Sequence, residues 1–229
     1  MTSGAERALV PILREGLASL GLDLSDVQQV SLLRHLALVE QWNRVYNLTA
    51  VREPAQMLTQ HLLDSMAAVR PLRQRVALNG WTEKVALLDV GSGAGLPGVP
   101  IAIACPAWSV TCVDAVGKKA GFIRQVGTEL NLRNLAALHS RVEGLVPKPW
   151  HVIVSRAFAS LRSFTSLTTP LLASDGVWLA MKAKVPTEEM EGLPEDIEVF
   201  HVEPLKVPGL NAERCLVWMR KRVAAGIEL

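Results

Sequence analysis

Asp89, at the tip of "KVALLDV", and Asp114, at the tip of "SVTCVDA", lie 25 residues apart, and a glycine-rich segment "GSGAGLPG" (Gly91–Gly98) follows the first of them. A glycine loop between an apolar run and a helical one offers unpaired backbone N–H groups to an anion and lets a ligand lie against the main chain. A carboxylate at the second tip accepts hydrogen bonds from a ribose. Seven basic residues fall between Ala115 and Ser160 against Glu129 and Glu143, whereas Glu188–Glu203 holds seven acidic residues and no Lys or Arg. Such segregation suits one face for a polyanion and another for water, although solvated helix faces produce it too.

Two ligands compete for the loop. Gly93–Gly98 formally matches the dinucleotide pattern G-x-G-x-x-G, but Pro97 then stands where the helix should already be running. The other register is Asp89-Val90-Gly91-Ser92-Gly93-Ala94-Gly95, with the acid just before G-x-G-x-G. A carboxylate there can meet a ligand ammonium and would repel a pyrophosphate. S-adenosyl-L-methionine carries that ammonium together with a carboxylate and a ribose, and this register favours it over NAD.

The elements that must hold these residues divide the chain in two. Residues 1–75 read as a helical layer: Leu9, Ile12, Leu13, Leu17 and Leu20 recur at helical spacing, and "SDVQ" (Ser25–Gln28) has the form of a capping box opening a helix through Val30, Leu33, Ala37 and Val45. Pro54 suits a first helical position and opens a third helix to about Val69. Residues 76–229 alternate short β runs with helical ones. "KVALLDV", "WSVTCVDA", "NLAALHS", "HVIVSRA" and "GVWLAMK" predict parallel strands, and "IEVFHVEP" with "CLVWMRK" an antiparallel edge. The two parts are expected to form one compact unit.

Cys105, Cys112 and Cys215 lack metal spacing and predict reduced thiols and no metal site. No apolar run reaches a membrane span, and Glu6 and Arg7 interrupt any signal-like start, so a cytoplasmic protein with no membrane partner is expected.

"LLDVGSGAGLPGVP", "VDAVGKKAGFIRQV", "SRVEGL", "VSRAFASL" and "WNRVYNLTAVREPAQMLTQHLLDS" resemble the RsmG (GidB) family of bacterial small-subunit rRNA methyltransferases, which methylate a guanine at N7. The likeness covers roughly residues 30 to 220. It implies an α/β, Rossmann-like class I methyltransferase fold: a mostly parallel, doubly wound seven-stranded sheet with an antiparallel edge, plus the helical layer. The cofactor would be S-adenosyl-L-methionine, and the partner 16S rRNA or the small ribosomal subunit, met by a monomer. Asp89, Gly91, Gly93 and Leu96 would line the cofactor at the loop. Asp114, Ala115 and Val116 would hold the ribose side, and Val142 with Glu143 the adenine side. Arg156 of "SRAF" would sit beside the methyl group as cofactor contact and catalytic residue, orienting the substrate. The basic residues around that sheet edge, Lys118, Lys119, Arg124, Arg141 and Lys182, are expected to grip RNA phosphates, and Arg214, which resembles a family arginine, is a further candidate.

The target atom is read from what is missing. Exocyclic-amine methyltransferases place [Asn/Asp]-Pro-Pro-aromatic after the fourth strand, where this chain has Ser155-Arg156-Ala157-Phe158, and no cysteine stands at a strand tip for attack on a pyrimidine carbon. Guanine N7 needs neither device. Phe158 reads equally as a stacking surface or as core. Rival readings are a small-molecule methyltransferase, a non-catalytic ribosome-associated RNA-binding module and a NAD-dependent oxidoreductase.

Overall fold

The computed structural model describes residues 4–81, 85–156 and 158–222. Lys84 of the first β run and Ala157 of "SRAF" lie outside the described residues.

The helical layer begins with α1 (Gly4–Ser19) and α2 (Asp26–Tyr46). The capping box forms as read: the Ser25 hydroxyl accepts the Gln28 N–H, and the Gln28 side chain accepts the Ser25 N–H at 3.0 Å. Asn47 ends α2 in the left-handed conformation, φ 49°, which asparagine tolerates. Pro54 opens α3 (Pro54–Met57), continued by a π-helical stretch Leu58–Leu63 and α4 (Asp64–Ala67). After a break at Ala68, α5 (Val69–Leu78) carries the layer past the boundary expected at residue 75.

The buried face of α2 differs from the predicted one. Val30 and Val45 are exposed, whereas Leu32, His35, Leu36, Val39 and Asn43 are buried. The stripe is set by what α2 packs against, and it admits two polar residues that apolar periodicity cannot see. The same helix joins the layer to the sheet. Gln28 donates to the Ile103 carbonyl at 2.8 Å, and Trp42 meets Phe122 edge-on, centroids 5.3 Å apart.

The second part alternates β1 (Ala86–Val90), α6 (Gly98–Ala104), β2 (Ser109–Asp114), α7 (Gly117–Glu129), β3 (Leu135–His139), β4 (Trp150–Ser155), α8 (Leu161–Thr168), β5 (Leu172–Lys182), α9 (Thr187–Glu191), β6 (Ile197–Pro204) and β7 (Cys215–Lys221). One seven-stranded sheet runs β3-β2-β1-β4-β5-β7-β6, parallel from β3 to β5, with β7 antiparallel to both its neighbours. The fold is the mostly parallel, doubly wound sheet with an antiparallel edge. β1 and β4 are apolar because helices cover both faces, but β3 is an edge strand and mostly exposed despite its apolar sequence. One apolar core runs from Leu13, Leu62 and Met66 of the helical layer through Val152 to Trp218, and a second, with Phe164 and Trp178, fills the other face.

The parallel strands all finish at one edge. That register sets Asp89 beside Cys112 and Asp114 beside His139, and brings the end of β5 (Lys182) to the start of β7 (Cys215). In open α/β sheets this is the ligand edge.

Candidate active site

Asp114 ties the loop down. Its Oδ2 accepts the Gly93 N–H at 2.9 Å and its Oδ1 accepts the Val116 N–H at 2.8 Å. The carboxylate is therefore positioned by the loop that it organises, with lone pairs left for a ligand.

Asp89 does something other than the sequence suggested. It is fully buried, and its Oδ2 accepts the N–H of Gly98 at the start of α6 at 2.9 Å. Enclosed in this way it cannot reach a ligand ammonium, and the expected contact is corrected: Asp89 holds the loop's far end. Burial pushes its carboxyl up to about 6, and its Oδ1 has no partner. A Cβ on Gly98 would lie 2.4 Å from Cys112 Sγ and 2.7 Å from Asp89 Oδ2, so only glycine fits between them. Gly91 is the opposite case. Its φ is +72°, and an added Cβ would meet nothing within 4 Å. The main chain there is bare towards open space.

Beside Gly91 a cavity of about 270 Å³ is lined by Asp114, Ala115, Arg141, Val142, Glu143 and Phe158, among others. Five predicted cofactor residues, Gly91, Asp114, Ala115, Val142 and Glu143, thus come together at one cavity. Leu96 does not line it, because its side chain is buried in the core, and Val116 contributes its N–H to Asp114 while its side chain points outward. Phe158 forms a wall of this cavity and packs on Phe164, centroids 5.4 Å apart. Ser140 and Leu167 also line it and were missed by sequence reasoning; Leu167 sits in the last turn of α8 with no local signal.

Also missed was His35 of α2. Its Nε2 lies 3.0 Å from the Ala94 carbonyl, latching the glycine loop to the helical layer. Burial lowers its pKa to about 4, so the ring is neutral and Nε2 carries the donated proton. Asn43 and His61 gain structural roles within the helical layer itself. Asn43 Oδ1 accepts the Thr49 N–H at 2.9 Å, and the Thr49 hydroxyl meets His61 Nε2 at 2.6 Å.

Arg156 follows β4 and turns towards the helical layer. Its Nη1 donates to Asp64 Oδ2 at 3.2 Å and to the Gln60 carbonyl at 3.3 Å, and the Nε of Arg214 donates to the other oxygen of Asp64 at 2.8 Å. Asp64 was not singled out in the sequence, yet it is buried and gathers both arginines. The remaining basic candidates disperse. Lys182 pairs with Glu189 at 2.8 Å, which also accepts the Leu161 N–H, so it is engaged within the fold rather than free for a phosphate. Lys118 lies over the Tyr46 ring on α2, 5.9 Å from its centroid, whereas Arg124 donates to the Ala137 carbonyl on β3 at 3.4 Å. The two lean to opposite sides of α7 and do not form one clamp. Lys119 is half-buried nearby, and Arg141 is exposed at the rim of the cavity.

The family described as rRNA small subunit methyltransferase G matches residues 28–217. The protein named ribosomal RNA small subunit methyltransferase G from Methylibium petroleiphilum is 63% identical over 216 residues, 94% of this chain and 96% of its own. Its namesake from Albidiferax ferrireducens is 58% identical over 94% of this chain and 98% of its own. The chain belongs to the small-subunit rRNA methyltransferase G family. Magnesium protoporphyrin IX methyltransferase from Synechocystis PCC 6803 superposes with a TM-score of 0.55 at 12% identity, over 82% of this chain and 97% of that one, which shows a shared fold.

Membership in the methyltransferase G family makes S-adenosyl-L-methionine the cofactor, and the residues present fit it. The cavity beside the bare Gly91 backbone has apolar walls, Val142, Phe158 and Leu167 among them, and the Asp114 carboxylate lines it. The thiols do not suit a nucleophile: Cys105, Cys112 and Cys215 are buried, and burial pushes all three pKa values up.

Proposed function

We propose that this methyltransferase G family member methylates N7 of one guanine in 16S rRNA, acting as a cytoplasmic monomer on the small subunit or its RNA. The observation that carries the reading is a juxtaposition along one sheet edge. The cavity of Gly91 and Asp114 lies at the tips of β1 and β2, and Arg156 stands at the tip of neighbouring β4.

When bound, S-adenosyl-L-methionine supplies an electrophilic methyl group on a positively charged sulfur. Asp114 and the loop backbone would hold its ribose side, and Val142, Phe158 and Glu143 its adenine side. Arg156, oriented by Asp64, holds the guanine or its phosphate so that N7 faces the methyl group. The N7 lone pair lies in the ring plane and is free at neutral pH, so no residue has to remove a proton. Rate enhancement then comes from placement and from fields that suit charge arriving on the base. Lys118, Lys119 and Arg141 are the candidates for RNA phosphates on the β2 side.

The buried, high-pKa thiols favour this reading over carbon methylation. Disrupting the gene and mapping the modified nucleosides of rRNA tests it. Loss of one N7-methylguanosine from 16S rRNA is the expected result, and an unchanged set contradicts it.

A further inference from the structure

Two arginines share a single carboxylate at the catalytic edge. Asp64 takes Arg156 on one oxygen at 3.2 Å and Arg214 on the other at 2.8 Å. The other contacts of these guanidiniums are neutral carbonyls, of Gln60 and Glu213. One negative charge between two positive ones leaves a positive charge over. The two arginine side chains are 23% and 24% exposed, so that surplus sits where water screens it only in part. Such a site suits an incoming anion, and guanidinium forks suit a phosphate.

A path leads to it. Arg214 lines a groove of about 700 Å³ between the chain after β5 and the chain before β7. Lys184 and Lys206 stand on its walls, both exposed and neither in an ion pair among the described residues; Glu213 is its one acidic lining residue. Four cations thus face two carboxylates along the run from Lys184 to Arg156. The sheet order β2-β1-β4-β5-β7 puts the cofactor cavity on one side of Arg156 and this groove on the other. A ligand entering along the groove meets Arg214 and Arg156 before it reaches the cavity.

We infer that the groove carries the phosphodiester backbone of the RNA beside the target nucleotide, one phosphate on Arg214 and Arg156 and its neighbours on Lys184 and Lys206. The inference rests on the enzyme reading above and names the surface by which that site takes its substrate. It moves the main RNA contact from the α7 side to the β5–β7 side.

The test uses the full chain, Lys184→Ala/Lys206→Ala and Arg214→Gln. Each is titrated at several salt concentrations with a 16S rRNA transcript and with small subunits from cells lacking the gene. Affinity for S-adenosyl-L-methionine is measured alongside. For the lysine pair the expected result is RNA binding about 10-fold weaker, a salt slope smaller by about 2, and unchanged cofactor affinity. Wild-type affinity and slope in that variant on both substrates would overturn the groove. If the wild type still methylates either substrate, the enzyme reading stands without it; if it methylates neither, that reading fails by itself. Arg214→Gln separates the two anions available at this edge. Weaker RNA binding with intact cofactor affinity supports the phosphate, whereas weaker cofactor binding with an unchanged salt slope assigns the arginine pair to the cofactor's carboxylate and overturns the proposal.

Discussion

Arg156, at the end of β4, and Asp64, in the helical layer, meet at 3.2 Å although 92 residues separate them. The arginine proposed to hold the substrate is thus paired with a residue of the helical layer. Asp64→Ala leaves two partly buried guanidiniums facing one another, and stability should fall by about 2–3 kcal/mol. Asp64→Asn keeps the shape and an acceptor but not the charge. It should fold and bind cofactor nearly as the wild type does, with slower methyl transfer at saturating RNA. Single-turnover rates and cofactor titrations on both variants check this, and a wild-type rate in Asp64→Asn would remove the positioning role.

Asp114 anchors the loop and is the proposed ribose partner, and one substitution can expose both roles. Asp114→Ala loses the acceptors for Gly93 and Val116 as well as the ribose partner, so both stability and cofactor affinity should drop, each by about 1–3 kcal/mol. Urea unfolding and calorimetric titration measure the two separately. Unchanged affinity would rule out the ribose contact.

Two glycines of one loop should fail in different ways. Gly98→Ala forces a Cβ into Cys112 and Asp89 and should cost about 2–3 kcal/mol of stability. Gly91→Ala meets no protein atom and should cost about 1 kcal/mol for its left-handed backbone, yet weaken cofactor binding at least 10-fold. Thermal melts with and without cofactor distinguish the pair. Normal cofactor binding by Gly91→Ala would show that nothing lies on that cradle.

The pH dependence of stability sets two buried groups against each other. His35 is held near 4, below its ordinary 6.5, so the unfolded chain takes up that proton first, and its share of stability is lost as pH falls from about 6.5 to 4. Asp89 is held near 6, above its ordinary 3.8, so the folded chain takes up that proton first, and its share is lost as pH rises from about 3.8 to 6. Each amounts to about 3 kcal/mol, and in the wild type they nearly cancel. Relative to wild type, Asp89→Asn should lose stability on acidification from pH 6.5 to 4, and His35→Gln should gain it. Denaturant midpoints across that range give the slopes, and parallel curves for all three proteins would contradict the assignment.

The sheet was legible because parallel strands leave apolar runs, and the cofactor loop because glycines and a strand-tip acid are local signals. Asp114 was singled out by that local signal and Val142 with Glu143 by the family resemblance, and all three line the cavity beside Gly91. Asp64, His35 and Leu167 were not legible. Each sits in a helix among ordinary neighbours and acquires its role from tertiary contacts, Asp64 with Arg214 across 150 residues. Asp89 was misread for the complementary reason. Sequence shows that an acid stands at the strand tip, but only packing shows that Gly98 and Cys112 enclose it.

The central claim is methyl transfer to guanine N7, and single-turnover methylation of small subunits from cells lacking the gene tests it most directly. Labelled S-adenosyl-L-methionine is mixed with excess wild-type protein or Arg156→Ala, and the nucleosides are released and separated over time. The account requires the label in 7-methylguanosine, at one equivalent per subunit, with Arg156→Ala slower by a factor of at least about 100 at saturating reactants and not rescued at higher pH. Label in any other nucleoside, or an equal rate in Arg156→Ala, would contradict it.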